Sequence, residues 1–251
     1  QIVEGQYTVL FMGMDESGKL ADVNWIFQFD IFAGTMNVLQ IPRDCYMPAY
    51  ANTSTNKFNS IYGTGQDETV TPIQRAVNAI QENFGLVIDC YVKLSCTDIE
   101  WFVRFRREYD EGDIGRVKAQ RIFLAAAMQK LLDMSQTELM SAMQKIYKNE
   151  WIATDLSLEQ ISMLADFAAK RLTMDGVNVY MVPGEGIMYE GQAVYSIHKT
   201  EAIDLINEHF RPYQNEMYYD ESTIVELVDE SNYIDTYSDT EENLDDIHKG
   251  D

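Results

Sequence analysis

Basic residues are scarce: 19 Lys and Arg stand against 41 Asp and Glu in 251 residues, a formal charge of −22. So large an acidic excess excludes general affinity for nucleic acid or anionic lipid surfaces. It leaves room for one small, local basic site. Cysteine is scarce too. Cys45, Cys90 and Cys96 form no CxxC pair, which argues against a disulfide framework, and an odd number leaves at least one thiol free in a monomer. That usage suits a cytosolic protein and equally a surface protein of a bacterium that makes few disulfides. His198, His209 and His248 have no metal-ligand spacing and read as structural or surface residues. No apolar run approaches the roughly 18 residues of a membrane span, and no signal-peptide pattern is present. The chain begins at Gln1 rather than Met, so a removed leader or anchor is expected ahead of it.

What is present points to a packed protein. Hydrophobic residues make up 46% and aromatics 12%, too much for a disordered chain. Residues 7–14, 23–32, 36–41 and 87–94 read as strands, and the Gly at 34 suits a hairpin between the second and third. Residues 49–71 read as a long polar loop. Residues 72–84 have helical spacing, with Pro72 in the first turn and Gly85 just past the end. Helices are also predicted over 115–132, 137–147, 158–172 and 200–210, with short strands at 177–182 and 193–197. Ser135 with Glu138, and Ser157 with Gln160, have capping-box spacing. The order implies an α/β protein: one domain with a mixed central sheet covered by helices on both faces. Beyond Pro212 the chain turns acidic, and residues 216–251 hold 13 acidic residues and one Lys. That tail is expected to pack poorly.

Three constellations can carry chemistry. Gly13-Met14-Asp15 ends the first strand, and Asp22 opens the second. Two carboxylates at one end of a sheet suit Mg²⁺, which takes oxygen ligands and keeps waters for phosphate oxygens. They read equally as solvated turn residues. Ile41-Pro42-Arg43-Asp44 puts an Arg at a strand end, where a guanidinium can grip phosphate with two parallel hydrogen bonds. Pairing with Asp44 on the surface is the plainer reading. Residues 102–121 hold six basic residues. Arg104 and Arg106 share one face of a strand. Asp113 stands where a helix begins, and Arg116 and Gln120 lie four apart on that helix. A helix N-terminus favours an anion, so the segment suits two linked phosphates. Its four acidic residues allow a solvated surface with local ion pairs instead.

In this order, GMD with Asp22, then IPRD, then VRFR…Y…GDIGR…Q, the sequence resembles the LytR-CpsA-Psr family of cell-envelope proteins. VPGEG…G…VY from residue 182 fits that family's C-terminal part. The resemblance covers about residues 6–210, which it implies are the catalytic domain, with 211–251 an acidic C-terminal extension. It implies an enzyme anchored in the membrane by an N-terminal helix and acting on the extracellular face. Such an enzyme moves an anionic glycopolymer, such as teichoic acid or capsule, from an undecaprenyl-pyrophosphate carrier to peptidoglycan. By the same resemblance, Asp15 and Asp22 hold Mg²⁺. Arg43, Arg104, Arg106, Arg116 and Gln120 bind the pyrophosphate, and Asp113 orients the arginines. Asp44, Asp15 and Asp22 are all open as the general base. A non-catalytic polyprenyl-phosphate binding module and a lipid pyrophosphatase are the alternatives. No nucleic acid is expected as a partner, since no helix-turn-helix pattern or basic face is present.

The chain departs from the family at three places. Leu20 stands where many members have Arg, and Ala119 replaces an Arg before Gln120. Between the strand ending near Leu94 and VRFR the family has several tens of residues more. A missing segment is therefore expected at about Glu100/Trp101. Ala125-Ala126-Ala127 on the following helix is a place where a prenyl chain can fit.

Overall fold

A computed structural model describes residues 3–95, 113–148, 152–234 and 241–249, giving backbone alone for 113–116, 143, 146, 147, 241 and 248. The sheet has seven strands in the order β5-β4-β1-β2-β3-β6-β9. These are β1 (Gln6–Met14), β2 (Ala21–Asp30), β3 (Thr35–Gln40), β4 (Cys90–Leu94), β5 (Ile152–Thr154), β6 (Val177–Met181) and β9 (Glu241–Asn243). β1 pairs antiparallel with β2 and β2 with β3, whereas β1–β4 and β3–β6 are parallel. Four strands, β1, β3, β4 and β6, therefore run the same way, and their carboxyl ends lie at one edge. β7 (Gly184–Tyr189) and β8 (Gln192–Ile197) form a separate hairpin.

Alternating side chains divide the core into two layers. Leu10, Met12, Ile26, Leu39 and Tyr180 face α2 (Pro72–Phe84) and α6 (Lys199–His209), which contribute Ala76, Ile80, Phe84, Ala202 and Ile206. Val23, Trp25, Met36, Val38 and Val179 face α3 (Asp113–Leu132) and α5 (Leu158–Lys170), through Leu124, Ala125, Met128 and Phe167. α1 (Ile61–Thr64) and α4 (Gln136–Lys148) complete the helices up to this point. The α-β-α arrangement expected from the sequence is the one observed.

Local chemistry sets the helix ends. The Thr71 hydroxyl accepts from the Gln74 amide, Pro72 occupies the first turn, and Gly85 closes α2 in the left-handed region at φ 64°. Ser157 and Gln160 form a reciprocal capping box at α5. Ser135 and Glu138 do the same before α4, with the Ser135 amide donating to Glu138 Oε2 at 2.8 Å.

The acidic tail corrects the expectation of poor packing. Ile224 is 5% exposed, within the first core cluster, and the Ser222 hydroxyl donates to the Asn83 carbonyl at 2.7 Å. The Thr223 amide donates to the Glu82 carbonyl at 3.1 Å. Tyr233 stacks on His198 with ring centroids 3.7 Å apart. β9 adds to the sheet beside β6, and α7 (Leu244–Lys249) buries Leu244 completely. A few apolar anchors suffice because the carboxylates between them stay solvated. His198 is indeed structural: it lies between Glu185 and Glu201, 3.0 Å from each.

Cys45 and Cys90 are buried thiols, neither in a disulfide. Burial pushes the Cys90 thiol from 9.0 up to about 11. The folded state therefore holds this proton longer than the unfolded chain. The stabilisation is full below pH 9.0 and is lost as pH rises through about 11. Urea midpoints should fall over that interval, and fall less in Cys90→Ala.

Candidate active site

The described motif residues gather at the carboxyl edge of the parallel strands, where open α/β sheets place their ligands. β1 delivers Asp15. Its Oδ1 accepts from the amides of Lys19 and Leu20, both at 3.0 Å, and both carboxylate oxygens accept from the Ser17 hydroxyl at 2.8 Å. The carboxylate thus closes the β1–β2 turn. α1 packs on this turn: a Cβ at Gly63 would lie 2.6 Å from the Lys19 carbonyl oxygen, so only glycine fits. Asp22, the second residue of β2, is the extra residue at a register shift, between Gly13↔Val23 and Met14↔Ala21, and is 5% exposed.

β3 ends at Gln40, and the chain passes through Pro42 to Arg43. Arg43 Nη1 donates to Asp22 Oδ1 in a part-buried ion pair. Arg43 Nε lies 3.4 Å from Asp44 Oδ1, and Lys57 Nζ lies 3.3 Å from the same oxygen. Arg43 Nε and Asp44 Oδ1 are buried and neither makes a hydrogen bond. Neighbouring backbone fixes the loop: the Asn59 amide donates to the Arg43 carbonyl at 3.0 Å, and the Tyr195 amide to the Asp44 carbonyl at 2.9 Å.

α3 brings Gln120, which is 5% exposed with its Nε2 buried and unbonded. The next residue, Arg121, donates from Nε to Gln40 Oε1 at 2.6 Å, which holds this turn of α3 against the end of β3. Two neighbouring elements thus present buried polar atoms without a hydrogen bond: Gln120 Nε2, and Arg43 Nε, which has only the 3.4 Å ion-pair contact with Asp44. That state costs free energy unless a ligand completes it.

The structure brings Asp22, Arg43 and Asp44 into contact and places Asp15 and Gln120 at the same edge. Asp113 and Arg116 lie in the first turn of α3, whose side chains are not described. Arg104 and Arg106 lie outside the described residues, as does the expected break at Glu100/Trp101. Ala125 packs in the core between α3 and the sheet, and Ala126 is exposed. Sequence reasoning missed Lys57, in the stretch read as a featureless loop. It also missed Lys93, at the carboxyl end of β4, whose Nζ donates to the Tyr62 hydroxyl at 3.3 Å. Lys57 had no periodicity to reveal it, but it was a lone cation near Asp44.

As for a metal, the described residues contain no group of three or more His, Cys, Asp or Glu that can hold one. Mg²⁺ needs fewer, since it is held by one or two carboxylates together with substrate phosphate oxygens. Asp15 and Asp22 are such oxygens, on adjacent strand ends, and their chemistry fits.

The sequence matches the LytR_cpsA_psr family over residues 1–100 and 93–211. The chain belongs to the LytR-CpsA-Psr family. The family match falls in two stretches that overlap at residues 93–100. A relative from Oceanobacillus iheyensis, the polyisoprenyl-teichoic acid–peptidoglycan teichoic acid transferase TagU, is 22% identical over 249 residues, covering 83% of this chain and 76% of the relative. The fold is that of a Streptococcus agalactiae protein with TM-score 0.67 and 14% identity, covering 92% of this chain and 96% of that one. It is also that of TagT bound to LIIa-WTA, with TM-score 0.62 and 16% identity over 82% of this chain and 89% of that one. Bacillus subtilis TagU gives TM-score 0.58 and 17% identity over 86% of this chain and all (100%) of that one.

Proposed function

We propose that this LytR-CpsA-Psr protein is a Mg²⁺-dependent phosphotransferase that moves an anionic glycopolymer from an undecaprenyl-pyrophosphate carrier to peptidoglycan. The observation that carries the reading is the pair of buried groups without a hydrogen bond, Gln120 Nε2 and Arg43 Nε, the latter held only by a 3.4 Å ion-pair contact with Asp44, on elements that meet at the carboxyl edge of the sheet. Both are donors, so the complementary ligand is an acceptor-rich anion. A pyrophosphate is such an anion, and the family and the TagU relative agree with it.

In this reading Arg43 and Gln120 hold the pyrophosphate oxygens, joined by Arg104, Arg106 and Arg116 and oriented by Asp113. Charge neutralisation and positioning dominate phosphoryl transfer. The Asp22 ion pair keeps the Arg43 guanidinium in one orientation before substrate arrives, which lowers the cost of ordering it. A wall-sugar hydroxyl attacks the phosphorus bearing the polymer, the phosphoanhydride bond breaks, and lipid monophosphate leaves. The hydroxyl proton passes to a carboxylate, with Asp15, Asp22 and Asp44 the candidates. Mg²⁺, held by Asp15 and Asp22, neutralises phosphate charge when bound. The chain works outside the cell, held at the membrane by a helix N-terminal to it.

A non-catalytic lipid-binding role is the second reading: Glu100 runs directly into Trp101, where the resemblance leads one to expect a longer connection. Lipid-linked glycopolymer incubated with sacculi and Mg²⁺ separates the readings. Covalent attachment that EDTA abolishes is the expected result. Tight binding without turnover would mean a binding module. Phosphate released without an acceptor would mean a pyrophosphatase.

A further inference from the structure

The family match ends at residue 211, yet the chain beyond it reaches the helix that carries the third motif. β9 pairs with β6 through Asn178↔Asn243, Val179↔Glu242 and Tyr180↔Glu241. Asn243 Nδ2 fastens the strand by donating to Asn178 Oδ1 at 2.9 Å and to the Asp175 carbonyl at 3.0 Å. Leu244 then enters the core cluster that holds Leu124 and Met128 of α3. Just before these anchors, Glu242 Oε2 accepts from Arg121 Nη1. Arg121 is 2% exposed and also donates to Gln40.

A buried guanidinium needs a counter-charge and fixed acceptors. Its planar fork, bonded on two edges, resists rotation in a way a lysine ammonium does not. Arg121 follows Gln120, and Gln40 lies three residues before Arg43. One rigid group therefore joins the helix of Arg116 and Gln120, the strand that delivers Arg43, and the C-terminal strand. We propose that Arg121 is a positioning residue for the phosphate site and that Glu242 of the C-terminal segment locks it. The acidic extension is then a working part of the site architecture. The inference rests on the pyrophosphate reading given above.

Farnesyl pyrophosphate serves as a soluble probe, with hydrogen exchange of the whole chain as a second readout. Glu242→Ala should weaken probe binding roughly tenfold, the scale set by one buried donor left unpaired. It should also speed amide exchange in α3 while leaving β1 and β2 unchanged. Glu242→Gln keeps an acceptor and should recover most of the affinity, and it remains informative if Glu242→Ala does not fold. Asp246→Asn, the same change of charge at an exposed tail position, should alter neither readout. A merely structural Glu242 would lower stability without moving probe affinity, which would overturn the proposal. So would wild-type affinity and α3 exchange in Glu242→Ala. If the wild-type chain fails to bind the probe at all, the pyrophosphate reading falls. Unchanged α3 exchange in Glu242→Ala would then overturn the lock separately.

Discussion

Replacing Arg43 with Ala should abolish measurable transfer and destabilise the protein at the same time. The two losses have different causes. For activity, a phosphate-gripping donor disappears, and single preorganised donors of this kind are worth about 10²–10³ in rate. For stability, Asp22 loses its Arg43 partner while its side chain remains 3% exposed. Breaking a fully buried pair from one side costs about 3–5 kcal/mol, and this part-buried pair should cost less than that. Urea denaturation and sacculus transfer measure the two effects independently. Arg43→Lys restores charge but not the planar fork, so it should recover stability more than rate. Near-normal transfer by Arg43→Ala would remove this residue from the site.

Arg104→Ala and Arg116→Ala should do the opposite, losing transfer while leaving the fold intact. Here the argument starts from the sequence. The alternation of Arg104 and Arg106 with apolar residues is a strand pattern in the sequence, and Arg116 stands four residues before Gln120 on α3. Residues that hold a ligand and carry little packing change stability by roughly 0.5 kcal/mol or less. Thermal unfolding should therefore match wild type while transfer falls below detection. Near-normal activity in either variant would sink the assignment of the third motif.

Much of this architecture was legible before any coordinates. α2 was readable to the residue because a first-turn Pro and a terminal Gly mark its two ends by local chemistry. The strands of the central sheet showed their alternation. β5 and β9 did not, since three residues carry no periodicity and each exists only by pairing with a neighbour. β7 was hidden by two glycines and a Glu in a six-residue strand. The tail misled for another reason: composition averages over its carboxylates, whereas packing depends on Met217, Ile224 and Leu244. In the site, Asp22 and Arg43 were both singled out, but their mutual contact was not, because 21 residues and two strands separate them. Arg121 was counted only as one of six basic residues in the third constellation. Its burial follows from a partner 121 residues away.

The most direct test of the central claim is the chemical analysis of the product. Sacculi incubated with the enzyme, Mg²⁺ and lipid-linked glycopolymer would be digested to muropeptides and weighed by mass spectrometry, with the released lipid quantified alongside. The account predicts a phosphodiester between polymer and wall sugar, and one undecaprenyl monophosphate released for each polymer attached. Lipid phosphate appearing without attached polymer, or intact carrier recovered with no new linkage, would contradict it.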